Sequence, residues 1–344
     1  MDSVARMPPR DRADLFNETS ERMGVHEVII EKDFWVCWLL KQLFAIPELD
    51  GWLTFKGGTS LSKCFNLIQR FSEDIDLAVD FERLGFAGDR DPRRADLSHT
   101  KRQPLLEDML NACREYVAGP FVSALGARIA GVLGNDGRGL GISPKDPNTV
   151  EFEYPAALKS RLDYIRPRVV LELGTHAEPI PHADFPVRPF AAEHFPDVFH
   201  EPACSITTVV ARRTFWEKAT ILHAEYHRPL DKPMPSRYSR HYADVAMMAQ
   251  ASVKDEALAD LNLLRKVVLH KDRFYHCAWA KYMEAKPGRF HLLPRNERLP
   301  DLRRDHDAMQ AMFFGAPPTF DDIIHRLADL EREINGPGPR PPSR

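Results

Sequence analysis

Two short runs, and the distance between them, constrain this chain more than anything else in it. Lys56-Gly57-Gly58-Thr59-Ser60 follows the apolar stretch Trp52 to Phe55, and Ser72-Glu73-Asp74-Ile75-Asp76-Leu77 opens a second apolar stretch that reaches Val79. Thirteen residues separate Ser60 from Asp74, room for one helix with Leu61, Cys64, Phe65 and Ile68 on its apolar face. The spacing therefore predicts strand, tight turn, helix and strand, with the second strand returned beside the first. Because a strand alternates faces, Asp74 and Asp76 project on one side while Ile75, Leu77 and Val79 enter a core. Two like charges at a strand end are costly unless a cation sits between them, and oxygen-only ligands suit Mg²⁺ or Mn²⁺.

The turn supplies the complementary half. Gly57 and Gly58 let backbone approach a ligand closely, and the helix starting near Thr59 and Ser60 offers unpaired N–H groups and the positive end of its dipole to a phosphate. Metal on one side and phosphate on the other is what nucleotidyl transfer needs: charge neutralised on the nucleotide phosphates and a hydroxyl aligned with the leaving pyrophosphate. Each half alone has a plainer reading, a strand-helix turn or a solvated edge strand. Their spacing joins them.

A chain of 344 residues can bury two modest cores. Periodicity places helices over Asp11 to Phe44, with an acidic start at Glu31 and Asp33, and over Gln103 to Val117. Phe81 to Thr100 reads as a loop, Gly131 to Thr149 as turns between strands, and Val169 to Leu173 as a strand. After Pro202 the pattern turns helical: Thr214 to Tyr226, Arg240 to Ala251, Asp255 to His270 and Phe320 to Ile334. The expected division is a first domain over 1–204, a helical lobe over 205–335 and a Pro-Gly-rich, disordered tail over 336–344.

The 47 Lys and Arg balance 50 Asp and Glu, a net charge of -3, so a polyanion must be met by a local patch. One candidate mixes cations with aromatics, as a surface that binds phosphates and stacks bases would: Arg265, Lys266, His270, Lys271, Arg273, Phe274, Tyr275, His276, Trp279, Lys281 and Tyr282. An ordinary amphipathic helix with a wet basic side has the same pattern. The five cysteines are odd in number and lack CxxC pairing, which argues against a disulfide framework and a cysteine zinc site and for a reducing cytoplasm. No run approaches the roughly 20 apolar residues of a membrane span, and the start lacks an apolar signal core.

Glu172, a lone acid among Val169-Val170-Leu171 and Leu173, either completes the metal site as a third carboxylate or faces solvent. His223 and His227 stand at i, i+4 without a third zinc ligand and read as surface or substrate-facing residues. Taken alone, Lys218 reads as a surface lysine and Asp244 as a helix-surface or capping acid, though the apolar run Val245 to Met248 suggests partial burial of the latter.

Lys56 to Lys63 and Arg70 to Leu77, with Ile30-Glu31-Lys32-Asp33-Phe34-Trp35, Glu217-Lys218-Ala219, Ser239-Arg240-His241-Tyr242-Ala243-Asp244 and Met312-Phe313-Phe314-Gly315-Ala316-Pro317-Pro318, resemble the AbiEii family of nucleotidyltransferase toxins, which includes the MenT toxins. Ala243 departs from the bulkier residue expected there and leaves Asp244 in register. The resemblance implies an α/β polymerase-β-like core with a mixed sheet flanked by helices, a C-terminal helical lobe and a cleft between them. It implies that Ser60 binds terminal phosphates, Asp74 and Asp76 the metals and Lys218 the triphosphate, with Asp244 a further essential acid. It also implies Mg²⁺-dependent transfer of a nucleoside monophosphate from an NTP to RNA, the tRNA 3′ acceptor end foremost, so that aminoacylation and translation stop, and an antitoxin as partner. Transfer to a protein hydroxyl or a small acceptor, and a non-catalytic NTP-binding module, remain the alternatives.

Overall fold

The computed structural model describes residues 1–72, 74–134, 139–159 and 166–336; the tail expected to be disordered lies, from 337 on, outside them. The chain forms two compact units. The first comprises Met1–Asn66, Phe71–Asp91 and Gln103–Val209, and the second Leu67–Arg70, Pro92–Arg102 and the chain from Val210 onward.

The first unit is built on a mixed sheet of seven strands: β1 (Leu53–Lys56), β2 (Asp74–Val79), β3 (Leu140–Ile142), β4 (Thr149–Glu153), β5 (Arg168–Gly174), β6 (His182–Val187) and β7 (Cys204–Val209). Their order is β3-β4-β5-β2-β1-β7-β6, with β2 antiparallel to β1 and parallel to β5. Alternation along the strands buries Phe55, Ile75, Leu77, Phe152 and Leu171 on the face covered by α3 (Glu27–Phe44), which follows α1 (Asp2–Ala5) and α2 (Pro9–Met23). Trp35 stacks on Tyr154 with ring centroids 5.4 Å apart, and Trp38 on Phe152 at 5.9 Å.

Glu31 and Asp33 do not start α3, as the sequence suggested; they lie inside it and are buried. Their carboxylates satisfy backbone that would otherwise be orphaned. Glu31 accepts from Ala157 N at 2.6 Å and Leu158 N at 3.2 Å, and Asp33 from Phe190 N at 2.7 Å. Phe190 begins α7 (Phe190–His194).

Between β1 and β2 runs α4 (Gly57–Lys63), shorter than predicted: it ends before Cys64, and Asn66 takes a left-handed φ of 50°. The next four residues, Leu67–Arg70, belong to the second unit, which is why the expected apolar face breaks after Leu61.

Two further elements, α5 (His99–Tyr116) and α6 (Val122–Leu133), join through a π-turn over Val117–Phe121. The sequence reading missed α6, whose Gly and Pro neighbours mask its period, and it missed that a window within His99–Leu133 is long and apolar enough to cross a membrane, with mean hydropathy 1.4. In this fold Val117, Phe121, Leu125 and Ile129 form a buried stripe at helical spacing, and Arg128 Nε donates to Gln42 at 2.9 Å. The stripe covers one side only, since 28 % of that apolar window is buried.

The second unit is helical: α8 (Ala211–His227), α9 (Ser239–Met248), α10 (Val253–Ala259), α11 (Leu261–Phe274), α12 (Leu299–Ala308) and α13 (Phe320–Asn335). One predicted helix, Asp255 to His270, is two: Asp260 breaks the run and caps α11 by accepting from Leu263 N at 3.0 Å. Helix α8 packs against α9, α10 and α11, and Trp216 Nε1 donates to Ala257 O at 3.2 Å. The described part of the protein thus has the mixed α/β core and the helical lobe that the sequence implied.

Candidate active site

In the first unit, register decides which side chains meet. Asp76 is paired with Lys56 of β1 on one side and with Glu172 of β5 on the other. Paired residues on neighbouring strands share a face, and period two adds Asp74 to it. Asp74, Asp76 and Glu172 therefore stand on the face opposite Ile75 and Leu77. Asp74 and Asp76 are half-buried and Glu172 exposed.

Gly57 touches this group. Its φ is +84°, and a Cβ there would fall 1.9 Å from Asp76 Oδ2 and 2.6 Å from its Cγ. Only glycine permits both the backbone conformation and the contact. Thr59, fully buried, donates its hydroxyl to the Asp74 carbonyl at 2.6 Å and meets Ser72 Oγ at 2.9 Å, tying the turn to the start of β2. Ser60 is also buried, and its hydroxyl donates to Gly57 O at 2.9 Å; in this conformation it serves the turn. Lys63 anchors the far end of α4: its ammonium lies 2.7 Å from Asp33 and 3.7 Å above the Phe190 ring, and Asp33 holds its pKa up against the burial that would lower it. An all-oxygen set of two or three carboxylates beside a glycine turn fits a hard divalent cation.

The second unit holds a group that the sequence did not assemble. Asp244 is completely buried. Arg70 clamps it with two bonds, Nε to Oδ1 at 2.7 Å and Nη2 to Oδ2 at 2.9 Å, and Lys218 Nζ lies 2.8 Å from Oδ2. Burial pushes the Asp244 carboxyl up, but Arg70 and Lys218 outweigh it and hold it well below the usual carboxylate range. Lys218 is 7 % exposed and Arg70 3 %, so the plain reading of Lys218 as a surface lysine fails. Asp244 likewise is no surface or capping acid. One turn earlier, His241 is kept neutral by burial and by Lys218, and its Nδ1 has no hydrogen-bond partner. Arg70 is held in turn by a bridge to Phe313, and Phe314 N donates to Gln69 O at 2.9 Å. Two cations thus converge on one buried carboxylate.

His223 is not on the surface, as expected, but fully buried. Its Nδ1 accepts from His291 N at 3.2 Å, which leaves Nε2 to donate to Lys281 O at 3.3 Å. Both nitrogens are thus occupied, and burial, then His227, lowers its pKa to about 4. On α11, Arg265 and Lys266 are exposed, Lys271 and Arg273 half-buried, and His270 buried against Phe274 at 4.3 Å. The exposed Leu261 and Leu269 interrupt this basic face.

Comparison with known proteins identifies the family. The family described as "Nucleotidyl transferase AbiEii toxin, Type IV TA system" matches residues 38–326. No curated protein matches the chain. Among solved structures it is similar to MenT4, a nucleotidyltransferase toxin of Mycobacterium tuberculosis H37Rv, at 14 % identity and a TM-score of 0.47 over 93 % of this chain and 88 % of that one. Nucleotidyltransferases of this kind use an NTP and a divalent metal ion. With 289 of its 344 residues inside the family match, the chain belongs to the AbiEii family of nucleotidyltransferase toxins of toxin–antitoxin systems.

Proposed function

We propose that this toxin transfers a nucleoside monophosphate from an NTP to the 3′ acceptor end of tRNA, blocking aminoacylation and hence translation in the cytoplasm, and that its cognate antitoxin restrains it. The observation that carries the reading is the carboxylate face: Asp74 and Asp76 on one side of β2, Glu172 in register beside Asp76, and Gly57 against the Asp76 carboxylate.

In the reaction an RNA hydroxyl oxygen forms a bond to the α-phosphorus of the NTP, the bond from that phosphorus to the β-phosphate oxygen breaks, and pyrophosphate leaves. Asp74 and Asp76, joined by Glu172, would hold the divalent ion, Mg²⁺ foremost, which would supply charge neutralisation for the transfer. Gly57, Gly58, Thr59 and Ser60 cradle the terminal phosphates. Lys218 takes the triphosphate, and Asp244 fixes its direction through the shared ion group. Arg265, Lys266, Lys271 and Arg273 contact the RNA backbone, where they act on affinity rather than sequence choice.

A nucleotide carrying label on its α-phosphate should leave that label in the RNA, and one carrying label on its γ-phosphate should release it as pyrophosphate. Label from the γ-phosphate in the acceptor would mean phosphoryl rather than nucleotidyl transfer. Label in protein or in a small acceptor would redirect the acceptor while leaving the metal chemistry intact.

A further inference from the structure

Away from the carboxylate face, His99, Asp272 and His276 form, among the described residues, the one group of three His, Cys, Asp or Glu whose ligand atoms all lie within 4.8 Å of one another. His99 opens α5, Asp272 sits in the last turn of α11 and His276 lies just beyond its end; all three belong to the second unit. His99 Nε2 is 3.6 Å from Asp272 Oδ2, and His276 Nδ1 is 3.5 Å from Asp272 Oδ1. We propose that His99, Asp272 and His276 bind a borderline-soft divalent metal ion of the Zn²⁺ class, which clips the segment Pro92–Arg102 to the C-terminal end of α11.

The distances favour it. Ligand atoms about 2.0–2.1 Å from a tetrahedral ion stand roughly 3.3–3.5 Å from one another; the three donors already lie within 4.8 Å, and each histidine is near a different Asp272 oxygen, Oδ2 at 3.6 Å and Oδ1 at 3.5 Å. Both His–Asp separations exceed a good imidazole–carboxylate hydrogen bond of about 2.7–3.2 Å, so a direct contact does not account for them well. Two histidines and one carboxylate are also the three-ligand set that leaves a fourth position for water. The rings now stack, with centroids 3.6 Å apart and planes 21° apart. At least one must turn for both lone pairs to meet at one ion, and both side chains are nearly half exposed, at 45 % and 44 %, so that rotation is open to them.

The donor set selects the ion, since the charge of nearby Arg102 and Arg273 opposes every divalent cation alike. Mg²⁺, which asks for six oxygens, is excluded by the same donor set that suits Zn²⁺. The site is therefore chemically distinct from the carboxylates of β2 and β5, and does not depend on the reading of that face.

The test is metal binding to the full chain carrying Asp74→Asn and Asp76→Asn, in excess Mg²⁺, with Zn²⁺ followed by calorimetry and Co²⁺ by its visible absorption. One equivalent should bind with a tetrahedral-type Co²⁺ spectrum. His99→Ala and His276→Ala should each weaken binding by at least the ~10–100-fold that loss of a residue merely orienting a ligand costs, and the exposed His200→Ala should leave it unchanged. Circular dichroism of each variant checks the fold. Absence of binding, or binding in either histidine variant as tight as in the parent chain, which would put the ion elsewhere, overturns the proposal.

Discussion

Replacing Asp244 by Asn tests the ion group of the helical unit. The carboxylate receives three charge-assisted contacts at 2.7, 2.9 and 2.8 Å and is fully buried. An amide keeps one acceptor oxygen, adds a donor that faces two cations, and removes the negative charge that Arg70 and Lys218 share. Removing one partner of a buried ion pair costs about 3–5 kcal/mol, a large share of the roughly 5–15 kcal/mol that holds a typical domain folded. Urea unfolding followed by circular dichroism should show this loss. A double-mutant cycle with Arg70→Met should return a coupling of about 1.5 kcal/mol or more, within the range for residues in one network. The pH dependence has a definite sign. Because Asp244 is held below its ordinary value, its contribution is complete above the unfolded pKa of about 3.9 and is lost as the pH falls through the folded value. The gap between wild type and variant should therefore be constant near neutrality and close only in acid. A loss under about 1 kcal/mol, or a coupling near zero, would refute the reasoning.

Two further substitutions probe the turn and its anchor. Gly57→Ala must place a methyl 1.9 Å from Asp76 Oδ2 at a φ of +84°, so it should cost about 2 kcal/mol or more of stability; by displacing Asp76 it should also lower transfer about 10²-fold, as denaturation and label incorporation would show. Lys63→Met leaves Asp33 buried with only the Phe190 N–H, and should cost about 3 kcal/mol in urea unfolding, whereas a change within about 0.5 kcal/mol would mean the pair carries no weight.

What the sequence disclosed follows from the range of the interactions involved. The strand Asp74–Val79 occupies the predicted residues because alternation and turn chemistry are local, and Phe320–Asn335 begins where its Thr319 cap is written, the hydroxyl accepting from Asp322 N at 3.1 Å. The break at Asp260 was equally local and could have been found, since an Asp before an apolar run is a cap signal. Other features are not local. Arg70 lies 174 residues from Asp244, and nothing in the periodicity of either segment announces their bond. Without that partner, Asp244 and Lys218 look like ordinary surface charges. Burial of His223 depends likewise on His291 and Lys281, which follow it by 68 and 58 residues. Gly57 was legible as a turn glycine, but its contact with Asp76 required the register of β1 on β2.

The central claim is tested most directly by incubating the purified protein and Mg²⁺ with each α-labelled NTP and total tRNA, with Asp76→Ala in parallel. The account predicts label in the tRNA band with one or more NTPs for the wild type, and a loss of roughly 10³-fold for the variant, since the charge stabilisation a bound metal ion supplies is worth several kcal/mol. No label in tRNA with any NTP, or equal labelling by Asp76→Ala, would contradict it.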